Sequence, residues 1–203
     1  MASKYHFGNS SLYIEGTDIP KNKLGITNSE EIHELERELL SEAYSIFYDE
    51  LDDDTVFDEH YFKELHRRTF EGLFEWAGEY RTFNMAKGES RFCQGAFITS
   101  SSKKIFDELS RENYLRSCET LPKDEFARKL TYYKCELIAL HPFFELNGRI
   151  TRLFFDMIVA RNGYEFIDYS TFLPDEYITA SIECVRFANS ARMEKIILAG
   201  LKR

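Results

Sequence analysis

The sequence predicts an all-α, mainly helical domain of about seven to eight helices with one β-hairpin. Apolar residues recur at helical spacing along most of the chain, whereas residues 78–97 carry strand-forming residues around a turn. No repeat, low-complexity tract or linker rich in Pro and Gly divides the 203 residues, a length typical of one domain. We therefore expect a folded domain over residues 28–203, preceded by an arm over residues 1–27.

The helix boundaries are predicted from capping and helix-breaking residues. Asn28 followed by Glu31 resembles a capping box, so the first helix should run from there to about Phe47. The second helix is expected over 59–75, after a solvated turn of aspartates at 52–54. The later helices are predicted over 98–114, 123–140, 147–162, 174–188 and 190–201.

One segment is predicted to form the hairpin. Its strand-forming residues and the turn between them are Tyr80, Thr82, Phe83, Lys87-Gly88-Glu89-Ser90, Phe92 and Cys93. Because an isolated hairpin is only marginally stable, the helical body or a partner should support it.

Composition excludes several classes of partner. The formal net charge of −9 argues against nucleic-acid binding, which depends on a positive surface. The N-terminus lacks the apolar core of a signal peptide, and no run of about 18 apolar residues follows, so no membrane span is expected. Cys93, Cys118, Cys135 and Cys184 are predicted to be isolated structural thiols in a reducing compartment. We expect a cytoplasmic protein, and delivery into a host cell by a specialised secretion system stays open.

The segment from Leu140 to Arg152 carries the candidate chemistry. The helix over 123–140 should end at His-Pro, because the residue before a proline is pushed out of helical geometry. The next helix should begin near Asn147, a good N-cap, and the unpaired N–H groups of its first turn form an anion site. Arg149 and Arg152 are three residues apart, so they share a helix face and can bracket the same anion.

Two further side chains complete the parts for phosphoryl or nucleotidyl transfer. Glu145 offers a hard oxygen ligand suited to Mg²⁺ that bridges phosphates, and His141 can take a proton near neutral pH. Each part also has a structural alternative: a histidine at a helix end, arginines that pair with surface carboxylates, and turn or cap residues. The conjunction of all these groups within a short segment favours the chemical interpretation.

A known family carries the same segment. The run HPFFELNGRITR, His141–Arg152, resembles the signature of the Fic family, HPF-x-[DE]-GNGR-x-x-R. Further resemblance lies at residues 21–27 (KNKLGIT), at 76–81 (WAGEYR), at Lys87-Gly88 and at 177–181. The resemblance covers most of the chain and implies a Fic-like fold with the hairpin as the family's flap.

In Fic AMP transferases the motif histidine removes a proton from a target Ser, Thr or Tyr hydroxyl, which attacks the α-phosphate of ATP. The resemblance implies that His141 is this base, that Glu145 holds Mg²⁺, and that Phe143 anchors the loop. The flap over 80–97 would hold a protein substrate by strand-like pairing, with self-modification and a homo-oligomer as further options. The residues implied to line the nucleotide and target cleft are Lys87, Gly88, Glu89, Ser90, Leu146, Asn147, Gly148, Arg149 and Arg152.

Two positions qualify this interpretation. Leu146 stands where the family has glycine, and left-handed geometry would cost a leucine about 1–2 kcal/mol. Either the loop takes a negative φ there or the nucleotide sits differently. Residues 11–16 (SLYIEG) fit the family's inhibitory pattern [ST]-x-x-x-E-[GN], so Ser11 and Glu15 are candidate regulatory residues, with Glu15 paired to Arg152. An extended arm without a regulatory role is the alternative.

Other functions stay open at this point. A Fic relative could transfer UMP, GMP or phosphate, or remove AMP from a modified protein. A binding module that has lost catalysis, with Leu146 as the first lesion, is a hypothesis from a different class. A helical DNA-binding protein is a third, disfavoured by the acidic charge balance.

Overall fold

The protein is described from a computed structural model over residues 12–116 and 118–203. Within these residues the chain forms seven α-helices and one two-stranded antiparallel hairpin, which confirms the predicted fold class. The elements are α1 (Ser29–Asp49), α2 (Glu59–Phe70), β1 (Ala86–Lys87), β2 (Ser90–Arg91), α3 (Ile98–Arg111), α4 (Lys123–Leu140), α5 (Asn147–Arg161), α6 (Pro174–Phe187) and α7 (Ala191–Gly200). Ser11 of the predicted regulatory segment lies outside the described residues.

Helix α5 lies at the centre of the bundle, packed against α1, α2 and α4. Its apolar residues are buried on every side, and such a helix belongs in a core rather than at a surface. Aromatic rings fill the space around it: the ring of Phe62 lies 5.2 Å from that of Phe154 and 5.4 Å from that of Phe143. Phe143 is completely buried, so the loop before α5 is anchored in this core, as expected.

Two helices end earlier than predicted. Helix α2 stops at Phe70 rather than near residue 75, and the chain turns so that Leu73 and Phe74 still reach the core. Helix α3 stops at Arg111, after which a left-handed 3₁₀ turn over Asn113–Leu115 buries Leu115. In both places apolar residues continue beyond the helix, so the spacing of apolar residues predicted a helix that was too long.

The hairpin is shorter than predicted. Ala86 pairs with Arg91 and Lys87 with Ser90, so the turn proper consists of two residues and Gly88 takes φ +57°. Residues 80–83 form no strand. A two-residue ladder contributes little stability by itself, so the position of the hairpin depends on contacts with the helical body, among them those between β2 and α6.

Two of the four cysteines are joined. Cys135 on α4 and Cys184 on α6 form a disulfide with a Cα–Cα distance of 5.3 Å, whereas Cys93 and Cys118 are free. The prediction of four isolated thiols is therefore wrong for this pair. The two residues are 49 positions apart, and only the packing of α4 against α6 brings them together.

Among the described residues, no helix combines the length and the apolar character that a membrane crossing requires.

Candidate active site

Arg81 organises the loop that follows α4. The helix ends at His141, which takes a left-handed φ of 46°. The buried guanidinium of Arg81 donates from Nε to the carbonyl oxygen of His141 at 2.8 Å and from Nη2 to that of Cys93 at 2.7 Å. The Arg81 backbone N–H donates to the carbonyl oxygen of Pro142, also at 2.8 Å. One side chain thus joins the segment before the hairpin, the segment after it and the His-Pro turn.

The imidazole of His141 is buried against the hairpin. Its ring stacks on Phe92 with a centroid distance of 3.8 Å and an interplanar angle of 12°. Burial, together with the charges of Arg81 and Lys87, lowers the pKa of His141 to about 3. The ring is therefore neutral near pH 7 and can accept a proton. A bound polyphosphate would bring negative charge and raise this pKa towards the working range of a general base.

A reciprocal pair of hydrogen bonds closes the loop between α4 and α5. The Phe143 N–H donates to Oδ1 of Asn147, and Nδ2 of Asn147 donates to the Phe143 carbonyl oxygen, both at 2.8 Å. Asn147 is the first residue of α5, and Leu146 occupies the N-cap position without a side-chain cap. The prediction that Asn147 caps the helix is wrong, because its side chain points back to hold the loop.

His66 supports the same loop from α2. Its Nδ1 accepts from the Gly78 N–H at 2.9 Å, so Nε2 carries the proton and donates to the Glu145 carbonyl oxygen at 3.2 Å. Its ring stacks on Phe143 at 4.0 Å. Gly78 has φ +81°, and a Cβ added there would lie only 2.7 Å from Cβ of Arg67. These contacts give His66 a structural role at the loop.

Leu146 takes a left-handed conformation, which a glycine would adopt without strain. Its φ is 67° and its ψ is 8°, so the alternative of a negative φ is wrong. The strain of about 1–2 kcal/mol is offset by burial, because the side chain is 8% exposed and packs in the core cluster. The loop can therefore hold a left-handed residue at this position without a glycine.

The start of α5 is open to a ligand. Among the described residues, the N–H groups of Asn147 and Gly148 make no hydrogen bond, whereas those of Arg149 and Ile150 both donate to the Leu146 carbonyl oxygen. A Cβ added at Gly148 would meet nothing within 4 Å. Two unpaired amides at the positive end of a helix, beside open space, are suited to bind an anion.

The two motif arginines have different surroundings. Arg149 donates from Nη1 to Oε2 of Glu36 on α1 at 2.8 Å. Arg152 lies with its guanidinium carbon 4.3 Å from the ring centroid of Tyr177 and 5.2 Å from that of Tyr169. Arg149 is thus held by a carboxylate and Arg152 by two aromatic rings.

The expected regulatory ion pair is not formed. Glu15 is exposed at the end of a turn in which Ile14 and Ile19 are hydrogen-bonded, and it makes no ion pair with Arg152. Residues 12–21 form a small loop closed by a bridge between Tyr13 and Pro20, not a helix that could present Glu15 to α5.

The arm reaches the site through a different residue. Tyr13 donates its hydroxyl to Oε1 of Glu145 at 2.6 Å, and its ring packs edge-on against Phe144 at 5.2 Å. The pKa of Glu145 is raised to about 7, because burial and the charge of Glu36 raise it by more than the Tyr13 hydrogen bond lowers it. The candidate metal ligand is therefore a half-buried carboxyl group that is held by the N-terminal arm.

With this geometry established, comparison with known proteins identifies the family. The model of the Fic/DOC family matches residues 56–159, which include α2, the hairpin and the whole loop before α5. The chain belongs to the Fic/DOC family.

Relatives of this Fic protein are similar over nearly its whole length. It is 31% identical over 179 residues to the probable protein adenylyltransferase y4lH of Sinorhizobium fredii, covering 88% of this chain and 90% of that protein. It is 28% identical over 166 residues to the probable protein adenylyltransferase Fic of Escherichia coli, covering 81% and 80%. The crystal structure of BepC, a VirB-translocated effector of Bartonella tribocorum with bound AMPPNP, matches with a TM-score of 0.80 at 25% identity, covering 94% and 95%.

Not all of the hairpin residues that were predicted to line the cleft of this Fic protein face the site. Lys87 is exposed, and its charge acts on both His141 and Glu145. Glu89 instead pairs with Arg186 on α6 at 2.6 Å, and Ser90 is buried. The ion pair of Glu89 ties the tip of the hairpin to the body of the protein.

Sequence reasoning missed three residues of this Fic site. Arg81 entered only as part of the WAGEYR resemblance, and Tyr13 and Glu36 were given no role at the catalytic loop. The sequence could have indicated a role for Glu36, because it lies at helical spacing on the same face of α1 as Ile32, Ala43 and Phe47. A carboxylate on a face that points into the core requires a partner. No comparable signal marked Tyr13.

Proposed function

We propose that this chain is a protein adenylyltransferase that moves AMP from ATP to a hydroxyl group of a protein. The observation that carries the proposal is a neutral imidazole, His141, at the end of α4, followed by a loop that opens α5 with unpaired amides. The relatives named adenylyltransferases, and the structure of BepC with bound AMPPNP, support the same donor.

The proposed chemistry is a nucleophilic displacement at the α-phosphorus of ATP. His141 takes the proton of the target hydroxyl as its oxygen forms a bond to the α-phosphorus. The bond from that phosphorus to the oxygen bridging the β-phosphate breaks, and pyrophosphate leaves. The amides of Asn147 and Gly148, with Arg149 and Arg152, would hold the polyphosphate in line and neutralise its charge.

The donor set fits Mg²⁺ bound together with nucleotide phosphates. Residues 12–116 and 118–203 contain no group of three or more His, Cys, Asp or Glu side chains able to hold a metal by themselves. Magnesium is commonly held by one or two carboxylates plus substrate phosphates, and Glu145 supplies such a carboxylate. Bound there, Mg²⁺ would neutralise phosphate charge and orient the leaving group.

The hairpin is proposed to present the target. Phe92 covers one face of His141, so a segment lying along β2 would pass close to the imidazole. Exposed backbone at such an edge can pair with an extended peptide. We extend the proposal to Ser, Thr or Tyr as acceptors, to self-modification and to a homo-oligomer, and we place the catalytic domain at 28–203. Because ATP is the donor, the protein would act inside a cell, its own or a host's.

Other donors are a second candidate. The groups at the start of α5 would contact phosphates rather than a base, so they do not distinguish ATP from UTP or GTP. A catalytically weakened binding module is less well supported, because His141 is present and the loop conformation is retained in spite of Leu146.

Intact-mass analysis of the purified protein, alone and with a cell lysate from which nucleotides have been removed, tests the proposal with Mg-ATP, Mg-UTP and Mg-GTP in parallel. We expect an AMP-sized mass increase with ATP that is absent in His141→Ala. His33→Ala, which changes an exposed histidine of α1, is the matched control. A UMP- or GMP-sized increase would change the donor, and no increase from any nucleotide would refute transfer.

A further inference from the structure

Glu36 is a buried carboxylate on a helix that otherwise presents apolar residues to the core. It is 4% exposed, and its neighbours on the same face of α1 are Ile32, Ala43 and Phe47. A charged group in such a place is costly unless it is paired and hydrogen-bonded. The structure supplies the pair through Arg149, at 2.8 Å.

Arg149 is held, but its capacity to donate is not used up. The bond to Glu36 uses Nη1, and among the described residues no hydrogen bond uses Nε or Nη2. An arginine has five N–H donors, so several remain for a second anion. The side chain is 34% exposed, which leaves it accessible from the open start of α5.

A long side chain that must be ordered when a ligand binds loses rotamer freedom at that moment. For an arginine this loss is up to about 2 kcal/mol. A partner that orders the side chain in the unliganded protein removes this term from binding. Glu36 is a buried side chain on a packed helix, so it can serve as such a partner.

We propose that Glu36 is a positioning residue that holds the guanidinium of Arg149 ready for the phosphates of the nucleotide. The inference rests on the proposed function, because it assumes that phosphates bind at the start of α5. It concerns α1, which lies outside the segment matched by the family model.

The opposite role is a real competitor. A carboxylate on a phosphate-binding arginine could instead occupy the place of a phosphate and would have to be displaced. The geometry favours positioning, because the buried Glu36 takes up Nη1 alone, and among the described residues no hydrogen bond uses Nε or Nη2 of Arg149.

Calorimetric binding of two ligands to the full chain distinguishes these roles. AMPPNP with Mg²⁺ carries the phosphates, whereas adenosine carries none. We expect Glu36→Gln to weaken AMPPNP about tenfold, equivalent to about 1.4 kcal/mol, with adenosine affinity changed less than about twofold. Glu50→Gln is the matched control, because Glu50 at the end of α1 also accepts from an arginine, Arg68, away from the site. It should change neither affinity.

Glu36→Asp provides a second variant in case the first does not fold, as judged by circular dichroism. It keeps the charge but shortens the reach, so the same selective loss of AMPPNP is expected. Tighter AMPPNP binding in either variant would overturn the proposal in favour of competition. An equal loss for both ligands would reduce Glu36 to a structural residue, and an unchanged affinity would remove any role. If the unaltered protein binds adenosine but not AMPPNP, the phosphate site itself is refuted and the proposed function falls with it.

Discussion

The side chain of Asn147 and the backbone of Phe143 are joined by two hydrogen bonds, each 2.8 Å long. All of these groups are buried, and the ring of Phe143 is itself packed between His66 and Phe62. The amide side chain of Asn147 therefore closes the loop between the proposed base and the proposed phosphate site, which Arg81 and His66 also hold. Catalytic geometry of this kind tolerates only displacements well below about 1 Å. This pair of hydrogen bonds should therefore affect both stability and activity.

Replacing Asn147 should affect stability and activity together. We expect Asn147→Ala to lower the free energy of unfolding by about 2–4 kcal/mol, because two buried backbone groups lose their partners, and to abolish AMP incorporation. Asn147→Asp keeps the acceptor and loses the donor, so it should show roughly half the loss. Urea unfolding and intact-mass analysis measure both effects. A stable and active Asn147→Ala protein would show that the loop does not need this pair.

Leu146 allows backbone strain to be measured. Glycine relieves the positive φ but removes a buried side chain, and alanine removes the side chain without relieving the strain. We therefore expect both variants to be less stable than the leucine protein. Leu146→Gly should be more stable than Leu146→Ala by about 1 kcal/mol, the reverse of the usual order, and should keep AMP incorporation. Equal or reversed stabilities in thermal unfolding would contradict the left-handed conformation.

The Tyr13 hydroxyl should compete with Mg²⁺ for the carboxylate of Glu145, the proposed metal ligand. Tyr13→Phe removes the hydroxyl that occupies Oε1 of Glu145, so we expect the Mg²⁺ concentration for half-maximal AMP incorporation to fall severalfold. The assay is run at pH 8, above the pKa of about 7 for Glu145, so that the carboxyl group is ionised in most molecules. Tyr132→Phe is the control, since Tyr132 also donates to a glutamate, Glu108, at an exposed site. A higher requirement in Tyr13→Phe would mean that the hydroxyl helps the carboxylate instead.

The pH dependence of stability should show the buried histidine of α2. Burial lowers the pKa of His66 to about 4 from an ordinary value of 6.5. Between these values the unfolded chain binds a proton that the folded chain does not, so stability falls as pH decreases through this window, by about 3 kcal/mol. His66→Gln should flatten this part of the profile relative to the unaltered protein, whereas His33→Gln, at an exposed position, should not. Urea unfolding from pH 7 to pH 4 tests this, and parallel profiles would contradict a neutral buried ring.

The cysteine pair predicts a thiol count. Protein purified without reductant and unfolded in denaturant should contain two reactive thiols, from Cys93 and Cys118, rather than four. In the folded protein Cys93 should react first, because it is partly exposed while Cys118 is buried. Four thiols in the unfolded, unreduced protein would show that Cys135 and Cys184 are not bonded.

Several features of this protein are determined by local sequence. Helix starts depend on nearby caps and prolines, so α1, α4 and α6 begin within one residue of their predicted positions. The segment from His141 to Arg152 likewise carries a contiguous pattern, which indicated the family and the proposed chemistry before any contact was known.

Only the tertiary structure decided which groups meet. Tyr13 bonds to Glu145 across 132 positions, Glu36 to Arg149 across 113, and Arg81 to His141 across 60. Such pairs leave no mark on local spacing, because they result from the packing of helices that are distant in sequence. The same packing joined Cys135 to Cys184 and turned the Asn147 side chain away from its expected cap. Local pattern placed the reacting groups along the chain, and burial in a shared core determined their partners and their pKa values.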